Sequence, residues 1–439
     1  MQGGSGTLHQ ERVNVEAPVR RFGLWTTTAL VVASMIGTGV FIGTGMIIHD
    51  VPSAPGILSC WVLGGVAALC GALSYAELGV AMPLSGGEYN FLSRLYHPSV
   101  GFVSAWISLI VGFSAPLALI ALAFGSYLEA LVPIPPRVSA ASLIIALSAL
   151  NAWRVSMGAR FHNVFTLAKV VFIAGFALVG ALRINPAYLA DAHKPLWATL
   201  LSPGFAVGLL SVSFAYTGWN AAAYVAGEVE QPQRVLPRAL AYGTLLVTVL
   251  YVALNAVFLG AAPLDALSGQ VAIADVAATR LFGSRGGVIV AAIVAIGLVS
   301  TANAVTMTGP RIYEAVGRDF SKFGWLAART EAGGPRRAVA LQAVVALGMM
   351  LAADPGQLLV YIGFTLSISA GLTVLGVYRL RRRGDIPASY RTPGYPITPA
   401  VFLALSAWMV LQGVIEQPLS ALAGLLTIAI GLAIYRGSV

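Results

Sequence analysis

Apolar stretches of about twenty residues recur along this chain and alternate with short polar segments. A helix must be about this long to cross the hydrocarbon core of a bilayer, and about twelve such stretches fit the sequence. The pattern therefore predicts an all-α integral membrane protein with about twelve transmembrane helices. We expect the polar residues 1–23 to form a cytoplasmic N-terminal tail.

Two of the predicted spans carry glycines in the middle of their apolar sequence. The first span contains ALVVASMIGTGVFIGTGM at residues 29–46, with Gly37 and Gly39, and the sixth contains SFAYTGWN at residues 213–220, with Gly218. Unpaired backbone groups are costly in lipid, so irregular backbone at that depth is tolerated only beside a cavity or within protein. Discontinuous helices at mid-membrane are typical of the substrate sites of secondary transporters.

The positions of these two interruptions predict an internal repeat. Five spans separate the starts of the two interrupted helices, and an odd offset gives the two halves opposite orientations in the membrane. We therefore expect a first five-helix repeat at 24–183, an inverted second five-helix repeat at 203–383, and two further transmembrane helices at 397–436. The polar segment LSGGEYNFLSRLYHP, between spans two and three, is predicted to be an interfacial helix on the cytoplasmic side.

Composition supports the membrane assignment and excludes a polyanion-binding protein. The chain is 58% hydrophobic and only 10% charged, whereas soluble proteins carry about 25% charged residues. Most of its 26 Lys and Arg residues fall on the cytoplasmic side of the predicted topology, so the net charge of +9 reflects membrane orientation. We expect a multi-pass protein of the cell inner membrane with both termini cytoplasmic, in contact with the lipid bilayer and with no nucleic acid.

The first interruption offers binding groups for both ends of a zwitterion. The half-helix that follows Gly39 begins with free N–H groups and a positive dipole end, which suit a carboxylate. The half-helix before it ends in free carbonyls near Ser34 and Met35, which suit an ammonium, and carbonyls near Phe214 and Ala215 could complete that cage. An α-amino acid satisfies both ends, although the same small residues could instead serve close helix packing.

Lys169 is an unusual residue because it lies well inside the predicted fifth span. A lone cation there costs about 2.5 kcal/mol or more, so it needs a partner, and free carbonyls of the broken first span are available. Snorkelling to the inner surface is the alternative. A buried lysine can also release a proton, which leaves proton coupling open.

The acidic residues predict a pocket without a carboxylate. Glu77, Glu228 and Glu230 lie near the inner ends of spans and are expected to be interfacial caps or partners of arginines. Cationic substrates are therefore disfavoured. The histidines form no metal set, and the sequence has neither a phosphate-binding loop nor a catalytic constellation. We thus expect no cofactor, no metal and no enzymatic activity.

Several segments resemble a known superfamily of membrane permeases. ASMIGTGVF resembles the first-span motif of the amino acid–polyamine–organocation superfamily, and FAYTGWN followed by VAGEVEQPQRVLPRAL is similar to the sixth-span motif of its L-type amino acid transporter branch. YAELGVAMPLSGGEYNFL, GPRIYEAVGRD and YRTPGYPITP also resemble blocks of these permeases. The resemblance covers nearly the whole chain after the tail, and it implies the five-plus-five inverted-repeat fold and amino acid transport.

The resemblance also implies roles for particular residues. Phe214 would be the gate over the substrate, and Lys169 would occupy the place where sodium-coupled relatives bind sodium, which implies sodium-independent transport. Asn220 stands where acid-resistance arginine exchangers carry a glutamate, which points to neutral substrates. Thr217 departs from the glycine of the animal proteins and puts the size of the pocket in doubt. The predicted substrate-binding residues are Ser34, Met35, Gly37, Thr38, Gly39, Phe214, Ala215, Thr217 and Asn220.

These observations predict a sodium-independent transporter of neutral L-amino acids that works by alternating access as an exchanger. A proton-coupled symporter, with Lys169 titrating, is the nearest alternative, and a non-transporting amino acid sensor is an alternative of another class. The loop after span three has no cysteine, so the disulfide to a heavy subunit seen in animal members is not expected. The resemblance therefore favours a bacterial permease that acts alone.

Overall fold

The computed structural model of the protein describes residues 22–83, 86–153, 159–190, 195–327, 335–384 and 389–437. Residues 1–21 of the predicted N-terminal tail lie outside these ranges. Within them the chain is helical, and Phe22 forms an isolated β-bridge with Val229. The predicted all-α class is confirmed for the described residues.

The described residues of the first half form ten α-helices. They are α1 (Leu24–Met35), α2 (Gly39–Ile47), α3 (Ala54–Ala81), α4 (Glu88–Leu95), α5 (Pro98–Ile107), α6 (Ala115–Glu129), α7 (Pro136–Trp153), α8 (Ala159–Ala181), α9 (Pro186–Leu189) and α10 (Leu196–Leu200). A π-helical turn, Ser108–Ser114, joins α5 and α6 into one long span. Pro98, Pro136 and Pro186 each stand at the start of a helix, where a missing N–H costs nothing.

The second half contains a further set of long helices and three short ones. They are α11 (Pro203–Ala215), α12 (Ala221–Tyr224), α13 (Pro232–Ala261), α14 (Leu264–Leu267), α15 (Ile273–Phe282), α16 (Ser284–Asp319), α17 (Arg336–Ala352), α18 (Pro355–Arg383), α19 (Ile397–Glu416) and α20 (Pro418–Arg436). Short 3₁₀ segments lie at Ala226–Glu228 and Ser321–Leu326. The capping box of Asp354 and Gln357 fixes the start of α18.

Length and hydropathy identify the helices that can cross a membrane. Among the described residues, seven helices are long and apolar enough, or eight when the bent pair α1 and α2 counts as one span. Shorter apolar helices occur at Pro136–Ala152, Phe165–Ala181 and Pro203–Ala215. The chain is therefore a multi-pass membrane protein, while the count of twelve spans and the inverted repeat stay predictions.

The two interrupted helices lie inside the bundle. α1 packs against α13, α2 packs against α11, and α11 also contacts α3, α18 and α19. Large apolar side chains on the outer helices face away from this core, such as Leu182 and Leu419 with exposed fractions of 83% and 77%. Such exposure is expected where lipid covers the protein surface. The buried centre of the bundle is thus built around the two breaks.

The short helix α4 is packed against the protein. Phe91, Leu92 and Leu95 of α4 are buried, as predicted for the apolar face of the interfacial helix. Glu77, near the end of α3, accepts hydrogen bonds from Arg381 Nε at 2.8 Å and Nη2 at 2.9 Å, and from the Thr392 amide at 2.7 Å. The prediction that Glu77 pairs with an arginine is confirmed. This ion pair ties α3 to the end of α18.

Candidate functional site

The first break lies where the sequence predicted it. α1 ends at Met35, α2 begins at Gly39, and the two helix axes differ by 41°. Ile36 still donates its amide to the carbonyl of Val32 but has non-helical dihedrals of φ −74° and ψ 89°. The chain therefore leaves the helix at Ile36 and re-enters it after Thr38.

The second break has a different local geometry. α11 ends at Ala215 and α12 begins at Ala221, with a turn between them. Gly218 has a φ of +100°, a region that residues with a Cβ rarely adopt. The sequence-based interpretation of Gly218 as the residue that opens the helix is confirmed, since another residue would be strained there.

The two breaks touch each other at two points. A Cβ atom on Gly39 would lie 2.5 Å from the Cα of Ala215, and a Cβ on Gly218 would lie 2.5 Å from the carbonyl oxygen of Ser34. Gly39 is therefore needed for the close approach of two backbones, and its φ is not positive. The structure brings the predicted residues Ser34, Gly39 and Ala215 into one crossing point with Gly218.

The amino end of α2 has an unsatisfied polar group. Thr38 is 2% exposed, and its hydroxyl has no hydrogen-bond partner among the described residues. No side chain caps the first turn of α2. A buried polar atom without a partner costs about 1–3 kcal/mol, and the amino end of a helix attracts negative charge. Together these features form a site suited to a carboxylate oxygen.

The carboxyl end of α1 is already bonded to side chains from distant helices. The phenol of Tyr251 donates to the Met35 carbonyl at 2.6 Å. Nζ of Lys169 donates to the Ile36 carbonyl and to Oγ1 of Thr301, both at 3.2 Å. The expectation of a free carbonyl at Met35 is therefore wrong, although a carbonyl oxygen can accept a second bond.

The position of Lys169 decides between the two predictions made for it. Its side chain is buried, with an exposed fraction of 9%, and its amine ends at the broken first helix. Pairing with a free carbonyl of that helix is confirmed, and snorkelling to the inner surface is wrong. Lys169 thus links α8 to the break and, through Thr301, to α16.

A cavity of about 160 Å³ lies beside this amine. Gly37 and Phe41 of the first broken helix form one wall, and Phe172 and Leu298 contribute apolar surface opposite. Among the described residues, Lys169 is the only charged one in its lining. A volume of this order accepts a small organic group, and its walls suit an uncharged one.

The remaining predicted residues bond within the protein. Thr217 Oγ1 donates to the Phe214 carbonyl at 2.7 Å, and Ser34 Oγ donates to the Leu30 carbonyl at 2.8 Å. Phe214 is buried at 7% exposure. Asn220 Nδ2 donates to Oε1 of Glu88 at 3.2 Å. The hydroxyls of Ser34 and Thr217 are therefore bonded within the protein, and the Phe214 carbonyl also accepts from the Thr217 amide at 2.9 Å.

Two aromatic residues of the second break belong to the core. The Tyr216 phenol donates to the Trp61 carbonyl at 2.7 Å, and the Trp219 ring meets the Tyr75 ring edge-on at 4.7 Å. Tyr216 and Trp219 are 1% and 7% exposed. Both side chains therefore fill the core beside the break.

Sequence reasoning missed three polar residues around the breaks. Tyr251, Thr301 and Glu88 contact Met35, Lys169 and Asn220 respectively. Glu88 places a carboxylate next to Asn220, while no carboxylate of the described residues lines the cavity beside Lys169. Tyr251 and Thr301 could have been identified from the sequence, because they are polar residues in apolar spans. Glu88 offered no such signal, because its segment was assigned to the membrane surface, where acidic residues are common.

Comparison with known proteins finds similarity over nearly the whole chain. The family model described as amino acid permease matches residues 22–434. The chain is 29% identical to the b(0,+)-type amino acid transporter 1 of Mus musculus, over 94% of this chain and 86% of that protein. It is 28% identical to the large neutral amino acids transporter small subunit 2 of Homo sapiens, over 95% and 80%. It is also 28% identical to the serine/threonine exchanger SteT of Bacillus subtilis, over 95% and 96%.

Proposed function

The chain belongs to the amino acid permease family, and on that premise we propose that it exchanges neutral L-amino acids across the membrane independently of sodium. The observation that carries the proposal is the amino end of α2, where the buried Thr38 hydroxyl has no partner among the described residues. This end would bind the substrate carboxylate through Thr38 and the first-turn amides of α2, Gly39 among them.

The substrate ammonium would lie at the opposite side of the crossing point. The carbonyls of Ser34 and Met35, at the end of α1, carry the negative end of a helix dipole. The Ala215 carbonyl at the end of α11 would complete this cage, because the Phe214 carbonyl already accepts from the hydroxyl and the amide of Thr217. Because α11 contacts α2, one ligand can bridge both breaks. Phe214 would then close over the bound substrate. The closed state would bind the substrate more tightly than the open state, and this difference would drive the conformational change of alternating access.

The lining of the cavity supports a neutral side chain. Phe41, Phe172 and Leu298 provide apolar surface, and the single charged group is the amine of Lys169. A cationic side chain would be repelled by this amine. The names of the relatives in human and Bacillus subtilis refer to large neutral amino acids and to serine and threonine, which fits the same substrate class.

Lys169 supports sodium independence. Its amine supplies a positive charge between the end of α1 and Thr301 of α16. A sodium ion that used the same oxygens would have to displace it. The proposed location is the cell inner membrane, with cytoplasmic termini. Both cysteines of the chain, Cys60 and Cys70, lie within the membrane-spanning helix α3 and not in a loop, which supports a chain that acts without a disulfide-linked heavy subunit.

Uptake into liposomes tests the proposal. We expect labelled amino acid to enter only when the liposomes contain unlabelled amino acid, at a rate that is unchanged when choline replaces external sodium. A panel of competing amino acids should show displacement by neutral ones. Loss of uptake without sodium would refute sodium independence.

The same assay separates the two alternatives. A proton-coupled symporter, with Lys169 titrating, would accumulate substrate into empty liposomes when a pH gradient is imposed. A sensor would bind the amino acid in a thermal-shift measurement and show no flux under any condition. Uptake that needs internal substrate and no gradient would reject both alternatives.

A further inference from the structure

The carboxylate of Glu88 is buried at a junction of five helices. Glu88 lies in the first turn of α4 and is 7% exposed. Oε1 accepts hydrogen bonds from the Tyr75 phenol of α3 at 2.6 Å and from Asn220 at 3.2 Å. Oε2 accepts from Ser369 of α18 at 3.1 Å and from Ser104 of α5 at 3.4 Å. Every one of these partners is a neutral donor.

No cation compensates this carboxylate within the described part of the chain. The ion pairs found there involve Asp50, Glu77 and Glu314, and none involves Glu88. The titratable groups in contact with it are the phenols of Tyr75 and Tyr224, which stay neutral at physiological pH. Glu77 shows the contrast, because Arg381 neutralises it. Burial accordingly raises the pKa of the Glu88 carboxyl.

Glu88 is also hydrogen-bonded to the second broken helix, at the start of α12. Asn220 is the residue immediately before α12, the inner half of the second broken helix. The Gly86 amide donates to the Tyr224 carbonyl of α12 at 3.3 Å. A Cβ on Gly87 would lie 2.4 Å from the Tyr224 ring, so this loop packs directly on α12. Contacts at both ends of α12 thus dock it on the start of α4.

We propose that Glu88 is a proton-binding site whose charge state controls how firmly α12 stays docked on α4. The ionised carboxylate can accept from Asn220, Tyr75, Ser104 and Ser369 at once, and charge-assisted bonds are roughly twice as strong as neutral ones. A proton on the carboxyl removes the charge and replaces one acceptor position by a donor. α12 then loses part of its anchor, and the inner side of the break loosens.

Hydrogen exchange tests this linkage without any transport assay. Backbone amide exchange of residues 220–228 is measured in purified wild type and in Glu88→Gln at about pH 5 and about pH 8. At the higher pH we expect exchange in Glu88→Gln to be faster by roughly fivefold, since it lacks the charge. At the lower pH the two proteins should exchange equally. An equal difference at both pH values, or none at either, would overturn the proposal.

Ser369→Ala provides a second variant that retains the acid. It removes one donor to the ionised form, which raises the pKa of Glu88, so the pH at which residues 220–228 loosen should move upward. Glu129→Gln, at the outer end of α6, is the matched control and should exchange like wild type at both pH values. If Glu88→Gln does not fold, an unmoved transition in Ser369→Ala alone refutes the proposal.

A liposome assay tests whether protonation of Glu88 affects transport, and this step rests on the proposed function. The wild-type exchange rate should change with internal pH, and the rate of Glu88→Gln should not. Equal pH profiles for both proteins would refute a role of Glu88 in transport. Absence of any amino acid flux in wild type would instead refute the proposed function, while the hydrogen-exchange result would still decide whether Glu88 binds the proton.

Discussion

Substitution of Gly39 by alanine tests whether the two breaks must touch. The new methyl carbon would lie 2.5 Å from Cα and 2.6 Å from Cβ of Ala215, whereas ordinary carbon contacts begin near about 3.5 Å. The start of α2 and the end of α11 must therefore separate by nearly 1 Å, since neither obstacle is a flexible side chain. Overpacking of this kind costs about 1–3 kcal/mol. We expect Gly39→Ala to have a lower melting temperature and a slower rate of amino acid exchange than wild type.

Gly37→Ala is the matched comparison within the same break. Its nearest atoms would be the Met35 carbonyl oxygen and a methyl of Thr301, both at 3.9 Å. We therefore expect its thermal stability in detergent to equal that of wild type, while Gly39→Ala melts a few degrees lower. The two purified variants are compared by thermal unfolding. Equal melting temperatures for Gly37→Ala and Gly39→Ala would refute the argument that backbone contact at the crossing point distinguishes these glycines.

Two further substitutions separate binding from folding. Thr38→Val removes the unpaired buried hydroxyl. We expect the stability of the substrate-free protein to be kept or raised, and the KM for substrate to rise by about 5- to 100-fold. An unchanged KM in the uptake assay would contradict this. Lys169→Ala leaves the Ile36 carbonyl without its cation, so the rate of amino acid exchange should fall at least tenfold. The amount of protein in the membrane should stay near that of wild type, as measured by immunoblotting. Uptake at the wild-type rate would mean that the amine has no role in transport.

The positions of the helices could be predicted because hydropathy is a local property. The polar segment LSGGEYNFLSRLYHP predicts where the second span stops, and α3 ends at Ala81, just before it. The break at Gly37–Gly39 was equally visible, since a polar or flexible residue in an apolar span is conspicuous in the sequence. What hydropathy alone does not give is the set of partners, because Tyr251 and Met35 are 216 residues apart in the chain.

The sequence alone also does not distinguish the two glycines of the first break. In the sequence Gly37 and Gly39 are equivalent, since both lack a Cβ. In the structure Gly39 faces the backbone of Ala215, and Gly37 faces the space beside Lys169. Glu88 is a further example, because its burial depends on Asn220 and Ser369 from distant helices. These distinctions arise only when separate helices pack together.

The charges around the breaks form one electrostatic argument. The end of α1 presents the negative pole of a helix dipole at Ile36, and Lys169 places its amine there. Bringing a second cation to about 4 Å from this amine would cost about 4 kcal/mol at an effective dielectric constant of 20. The amino end of α2, with Thr38, presents the opposite pole and has no anion of its own among the described residues. A substrate carboxylate would supply that anion, whereas the Ile36 carbonyl already has its cation in Lys169 and needs no sodium ion, which is the arrangement we propose for sodium-independent exchange.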